Sequence, residues 1–198
     1  MGLNYEIVEG QTPLSEDEKE GILNSTIDRR EELDGAEQIN IEKAIKWVRT
    51  ISPNIGEILS EEFIKRAHEK MFEDVWKWAG SYRTTNKNLG VDKFEIPVEL
   101  RKVMDDCRYW IENTSFNPDE IAVRFKHRIV VVHPFANGNG RHSRLMGDIL
   151  VSKYFKQPVF SWGSINMIKP SDARQKYLSA LRKADNGNYE DLIAFARS

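Results

Sequence analysis

The most constraining feature of this chain is a glycine-rich polar run set between two stretches of helical periodicity: His133-Pro134-Phe135-Ala136-Asn137-Gly138-Asn139-Gly140-Arg141-His142-Ser143-Arg144. Glycine and asparagine tolerate positive φ, so the backbone N–H groups of Gly138, Asn139 and Gly140 can point into one concavity. The helix opened by Asn139 or Gly140 adds the positive end of its dipole. Arg141 falls in the first turn and Arg144 one turn later on the same face, and both offer planar donor forks to phosphate oxygens. That number of donors suits a polyphosphate. His133, at the other end of the run, can accept a proton near neutral pH and so deprotonate a hydroxyl brought beside a bound phosphate. Phe135 is apolar within a polar loop and is expected to plug into the core, holding base and anion nest in register. Each signal alone has an ordinary structural reading: a capping histidine, a turn, a solvated arginine face. Their order and spacing together do not.

The rest of the chain is mainly helical in pattern. Ser15 and Glu18 form a capping-box pattern after Pro13, opening an acidic helix to about Leu33 that Asp34-Gly35 ends. Ile39, Ile41, Ala44, Ile45 and Val48 continue as a second helix, and Ser60 caps a third carrying Phe63, Ile64, Ala67 and Met71. Thr84 to Pro97 reads as a short β-hairpin or extended flap, with turn chemistry at Asn86-Lys87-Asn88 and Gly90-Val91-Asp92 flanked by Tyr82, Phe94 and Ile96. Pro97 and Asn117-Pro118-Asp119 open further helices. The second of these carries Ile129-Val130-Val131-Val132, which stays helical in context despite its β propensity. Pro158 stops the helix that follows the glycine-rich run. Helices from Pro170 to about Ala184 and from Tyr189 to Ala196 close the chain. The expectation is an arm over residues 1–35 and a helical domain over residues 36–198.

Composition narrows the function classes. The net charge of −2 gives no global basic field for nucleic acid. Cys107 is the single cysteine, so no intramolecular disulfide forms, which fits a reducing cytoplasm. The N-terminus lacks the basic start and apolar core of a leader, Gly2 lacks the downstream Ser or Thr of a lipidation signal, and no apolar run approaches the roughly 20 residues that span a bilayer. No Cys or His cluster has zinc-ligand spacing, and no Walker-type phosphate loop is present. His127 is expected to be a packing residue and His142, off the arginine face, to be exposed. Trp76, Trp78 and Trp110 sit at core-like positions, with Trp76 or Trp78 placed to edge a nucleobase pocket.

The run His133 to Arg144 resembles the signature of the Fic family, H-x-F-x-[D/E]-G-N-G-R-x-x-R. His133, Phe135, Gly138, Asn139, Gly140, Arg141 and Arg144 all match. Phe72 to Arg83 resembles the family's Trp-Ala-Gly-x-x-Arg segment, and the likeness extends from Phe63 to Leu192. Within the family, the His-Pro-Phe-x-Asn-Gly-Asn-Gly-Arg form is similar to the mobile mystery protein B group, which occurs beside a helix-turn-helix protein. The resemblance implies a helical domain with a β-hairpin flap and transfer of AMP from ATP to a Ser, Thr or Tyr hydroxyl of a target protein. It makes His133 the base and places the α- and β-phosphates on Gly138, Asn139 and Gly140. Arg141 and Arg144 then hold the β- and γ-phosphates, and Leu89, Gly90, Val91, Lys93 and Phe94 hold the target segment by strand addition. It implies Mg²⁺ or Mn²⁺, for which the family carries Asp or Glu where this chain has Asn137, a ligand without charge. That departure leaves open another phosphate-linked transfer, with a different nucleotide, a phosphoryl group or AMP removal. It also leaves open a nucleotide-sensing module paired with an antitoxin-like or helix-turn-helix partner. The family's inhibitory [S/T]-x-x-x-E-[G/N] helix has two degenerate counterparts here, at Glu20-Gly21 and Asp34-Gly35.

Overall fold

The computed structural model describes residues 14–163 and 170–198. Residues 1–13, which hold Pro13 and the features read against a leader and lipidation, lie outside the described residues. Helices dominate in chain order: α1 (Glu16–Lys19), α2 (Arg30–Thr50), α3 (Ile55–Ile58), α4 (Glu61–Phe72), α5 (Ile96–Glu112), α6 (Pro118–Val132), α7 (Asn139–Ile149), a wider π turn (Leu150–Tyr154), α8 (Pro170–Asp185) and α9 (Glu190–Arg197). No described helix is long and apolar enough to cross a membrane.

Capping chemistry starts several helices as the sequence leads one to expect. The Ser15 hydroxyl accepts from the Glu18 N–H while the Glu18 carboxylate accepts from the Ser15 N–H. Ser60 accepts from the Phe63 N–H at 3.1 Å, and Asn117 from the Glu120 N–H at 2.9 Å. Helix α6 is the structural axis. Ile121, Ala122, Val123, Phe125, Ile129 and Val132 are all buried, because α5, α7 and α9 pack around it. That enclosure keeps its β-branched end helical. Helix α4 turns Phe63, Ile64, Ala67, Met71 and Phe72 inward, between α2 and α7.

Three expectations are corrected. The acidic helix from Ser15 does not reach Leu33. It ends at Lys19, and the chain then runs beside residues 75–77, with Leu23 N–H donating to Val75 O, Lys77 N–H to Gly21 O, and a bridge between Ile22 and Trp76. Nor does Asp34-Gly35 end a helix. Helix α2 runs through Gly35 and carries Leu33, 1% exposed, into the core. Third, the flap contains no β ladder among the described residues. Side chains make its closing bonds instead: the Asn86 oxygen accepts from the Lys93 N–H at 2.8 Å, the Asn86 amide donates to Asp92 at 2.7 Å, and the Lys93 ammonium donates to Thr84 O at 2.8 Å.

All four histidines, His68, His127, His133 and His142, are buried, so His142 is not the surface residue its spacing suggested. Burial holds each below the usual 6.5, with His133 and His142 lowered to about 4. As pH falls through 6.5 the unfolded chain therefore takes up protons that the folded chain refuses, and stability is lost. Asp148, raised to about 7 by burial, works against this trend alone. The midpoint of urea unfolding should be lower at pH 5 than at pH 7.5. An unchanged or higher midpoint at pH 5 would contradict the burial of these rings as neutral groups.

Candidate active site

His133 ends α6 in the left-handed conformation, φ 55° and ψ 58°, which turns the chain sharply into the glycine-rich loop. Its Nδ1 lies 3.3 Å from Val130 O, so the hydrogen sits on Nδ1 and the basic lone pair on Nε2. Burial first, then the Arg83 and Lys87 charges, keep the ring neutral at pH 7. Gly90 lies directly against it, at φ +97°, and a Cβ there would come within 2.6 Å of His133 Cβ.

The loop is braced from inside. Phe135 is fully buried, and the Asn139 side chain grips its main chain from both sides. The Phe135 N–H donates to Asn139 Oδ1 at 2.9 Å, and Asn139 Nδ2 donates to Phe135 O at 2.8 Å. Asn139 thus lends the cavity its backbone, while its side chain, 2% exposed as a residue, faces inward. Gly138 caps α7 at φ 75°, and a Cβ there would fall 2.5 Å from the Phe72 ring. Any side chain there would be strained by the left-handed φ and would have to displace that ring.

Arg83 ties the flap to this loop. Its Nε donates to His133 O at 2.7 Å, its Nη1 to Thr85 O at 2.9 Å and its Nη2 to Val91 O, while its backbone N–H donates to Pro134 O at 2.9 Å. Of these carbonyls, Thr85 O and Val91 O belong to the flap, and Arg83 takes both from any ladder between its two sides. Leu89 and Gly90 border the cavity; Lys93 and Phe94 do not, and Phe94 is 82% exposed. Val91 is half-buried and bonded to Val132 O at 3.4 Å.

One cavity of about 1160 Å³ joins His133, Asn137, Gly138, Asn139, Gly140, Arg141 and Arg144. Beyond Arg144, whose guanidinium lies 5.6 Å from the Tyr177 ring centre, Trp162, Tyr177, Leu181 and Phe195 form an aromatic end. Trp162 takes the place expected of Trp76 or Trp78, which do not border the cavity. Arg30, Arg124, Arg128, Arg141, Arg144 and Arg174 line the walls, and Asp185 is the sole acid among the described lining residues. The lining is thus rich in arginine, with Arg30, Arg124, Arg128 and Arg141 paired to Asp34, Glu120, Asp106 and Glu37 behind it.

The proposed inhibitory acids stand elsewhere. Glu20 is exposed, and Asp34 pairs with Arg30 at 2.8 Å; neither lines the cavity. The acid that reaches the motif is Glu37 on α2. It is 2% exposed, accepts from Trp76 Nε1 at 2.7 Å and pairs with Arg141 Nη1 at 2.6 Å. No local pattern marks it, because its partners lie far along the chain.

The expected metal position is also revised. Asn137 Oδ1 accepts from the Gly138 N–H at 2.7 Å, and the residue has no charge. No group of three or more His, Cys, Asp or Glu among the described residues is placed to hold a metal ion. This donor set does not fit a divalent ion held by the protein.

Comparison with known proteins agrees with the geometry. The model of the Fic/DOC family matches residues 58–151. Those residues are a Fic/DOC family domain. The chain is 25% identical over 167 residues to a protein adenylyltransferase Fic of Nematostella vectensis, and 24% identical over 163 residues to that of Aedes aegypti. These alignments cover 82% and 80% of this chain but only 37% and 31% of the relatives' length. Among solved structures, the Bartonella tribocorum BepC protein with bound AMPPNP superposes with a TM-score of 0.67 at 17% identity, over 96% of this chain and 93% of that one. This structural likeness establishes the Fic/DOC fold.

Two substitutions test the glycine-rich loop and the Arg141 pair. Gly138→Ala should destabilise the fold by about 2 kcal/mol or more, from the left-handed φ and the Phe72 contact, read as a lower urea midpoint. Glu37→Gln keeps an acceptor for Trp76 but releases Arg141, so tripolyphosphate should bind several-fold more tightly, up to roughly tenfold, by calorimetry. Weaker binding would mean that Glu37 aims Arg141 rather than neutralising it.

Proposed function

We propose that this protein transfers the AMP moiety of ATP to a Ser, Thr or Tyr hydroxyl of a target protein. The observation that carries the reading is the joining of His133, the loop amides and both arginines in one cavity with an aromatic end. The triphosphate lies along Gly138 to Arg144 and the base among Trp162, Tyr177 and Leu181. His133 Nε2 takes the hydroxyl proton, the hydroxyl oxygen bonds to the α-phosphorus, and the bond to the β-phosphate oxygen breaks. Pyrophosphate departs against the arginines and the positive end of α7. A neutral His133 suits the first step, and the nearby phosphates raise its basicity as it takes the proton. The names of the curated relatives, protein adenylyltransferase Fic, and the AMPPNP named in the BepC structure support the nucleotide and the transfer.

The target segment enters between the flap at Leu89-Gly90 and His133. Magnesium or manganese enters this reading only as a counterion carried by the nucleotide's phosphates. Residues before 36 serve as a cover in the same reading, supported by the buried Glu18–Lys87 ion pair and by Arg30 at the cavity wall. A helix-turn-helix partner rests on the Asn137 form of the motif alone. The Glu37–Arg141 pair favours one alternative, a nucleotide-sensing module whose arginine is held until a partner binds.

Incubation with a lysate and labelled ATP decides between them. Label from α-³²P-ATP but not γ-³²P-ATP, lost in His133→Ala, is the expected result. Transfer from γ-labelled ATP would make the chemistry phosphorylation, and nucleotide binding without any transfer would favour the sensor. Asn137→Asp in the same assay should increase the dependence on added Mg²⁺.

A further inference from the structure

His68 has no part in the steps above, yet it is fully buried on the inner face of α4 and touches the loop at its most adaptable peptide. Its Nδ1 accepts the Gly80 N–H at 3.0 Å and so carries no hydrogen. The hydrogen is on Nε2, which donates to the main-chain oxygen of Asn137 at 3.1 Å. The ring stacks on Phe135, 3.8 Å between centres, and meets His142 edge-on at 5.6 Å, so it has little room to shift. A protonated ring could not accept from Gly80. Burial keeps it neutral.

In a trans peptide the C=O and the following N–H point in opposite directions. By drawing the Asn137 oxygen toward the core, His68 turns the Gly138 N–H away from it, and that N–H now meets Asn137 Oδ1 at 2.7 Å. Gly138, at φ 75° with no Cβ, leaves this peptide freer to rotate than its neighbours. A flipped peptide would replace the Gly138 N–H, which a bound phosphate would compete for with Asn137 Oδ1, by a carbonyl oxygen.

We propose that His68 is a positioning residue that latches the Asn137–Gly138 peptide with its N–H outward, and that the Gly80 N–H selects the tautomer that does so. Two sequence motifs, the Trp-Ala-Gly turn and the glycine-rich loop, are thereby joined through one imidazole. The choice of ATP as ligand rests on the proposed function; the peptide's orientation does not.

The full chain is compared with His68→Gln, which keeps a donor near the Nε2 position, and His68→Asn, which keeps an acceptor for Gly80 but not that donor. His68→Asn should weaken ATP binding by roughly tenfold, the scale of one hydrogen bond, with adenosine binding changed by less than about twofold. His68→Gln should restore most of the ATP affinity. The Gly138 amide signal in ¹⁵N spectra should broaden or double in His68→Asn only. Equal losses for ATP and adenosine, or undiminished ATP binding by a folded His68→Asn, would overturn the latch. If the parent protein binds no ATP, the functional reading falls, and a single unshifted Gly138 signal in His68→Asn then overturns the latch separately. Should His68→Asn fail to fold, the ¹⁵N imidazole shifts of the parent decide, since a hydrogen on Nδ1 rather than Nε2 excludes the arrangement.

Discussion

The two hydrogen bonds between the Asn139 side chain and the Phe135 main chain hold the rest of the site in place. A loop that leaves α6 at a left-handed residue and enters α7 at a left-handed glycine has considerable conformational freedom. The Asn139 amide mimics a backbone partner for Phe135 and removes much of it. The Phe135 ring adds the hydrophobic anchor, stacked on His68 and meeting His142 edge-on at 5.0 Å. His133 and the arginines are therefore held relative to one another by buried contacts rather than by surface charge. These contacts brace the loop, and Gly138 and the flap's Gly90 lie where backbone approaches the Phe72 and His133 side chains closely.

Around this anchor, buried polar groups are paired rather than avoided. Arg83, 4% exposed, satisfies carbonyls from both the loop and the flap, and Lys126, fully buried, donates to the Tyr177 hydroxyl beneath the cavity's aromatic end. Glu37 answers both Trp76 and Arg141. Removing one partner of such a set leaves the other desolvated, which costs more than the bond itself contributes. The cavity thus collects arginines without collapsing or repelling its own walls, because neighbouring carbonyls and acids hold several of them.

The candidate site residues were legible because they lie in one short stretch, where spacing along the chain is spacing in space. His133, Gly138, Arg141 and Arg144 border the cavity as their order implied. Helix starts at Ser15, Ser60 and Asn117 were legible for the same reason, since a cap is a local bond. What could not be read depends on contacts between distant segments. Gly35 resembles a helix stop, but the packing of Leu33 and Glu37 carries α2 through it. The flap has the turn residues of a hairpin, but Arg83 occupies the carbonyls of Thr85 and Val91. His68 and Glu37 carry no local signature, since their roles come from partners 69 and 104 positions away (68 to 137 and 37 to 141).

Asn137 shows how one position can alter a site's electrostatics without altering its shape. Its side-chain oxygen makes the bond to the Gly138 N–H that a carboxylate oxygen could also make, so the turn is preserved. A carboxylate would add a negative charge beside the phosphates, and at about 4 Å and an effective dielectric near 20 that repulsion is about 4 kcal/mol unless a cation lies between them. With an amide there is no such repulsion, and the need for an intervening cation falls with it. The arginines and loop amides can then meet the phosphates directly, with Glu37 offsetting the charge of Arg141 until a ligand competes for it. In the proposed function, phosphate recognition would accordingly rest on fixed donors, its strength set by how those donors are held, so the groups behind the loop would matter as much as those that face the cavity.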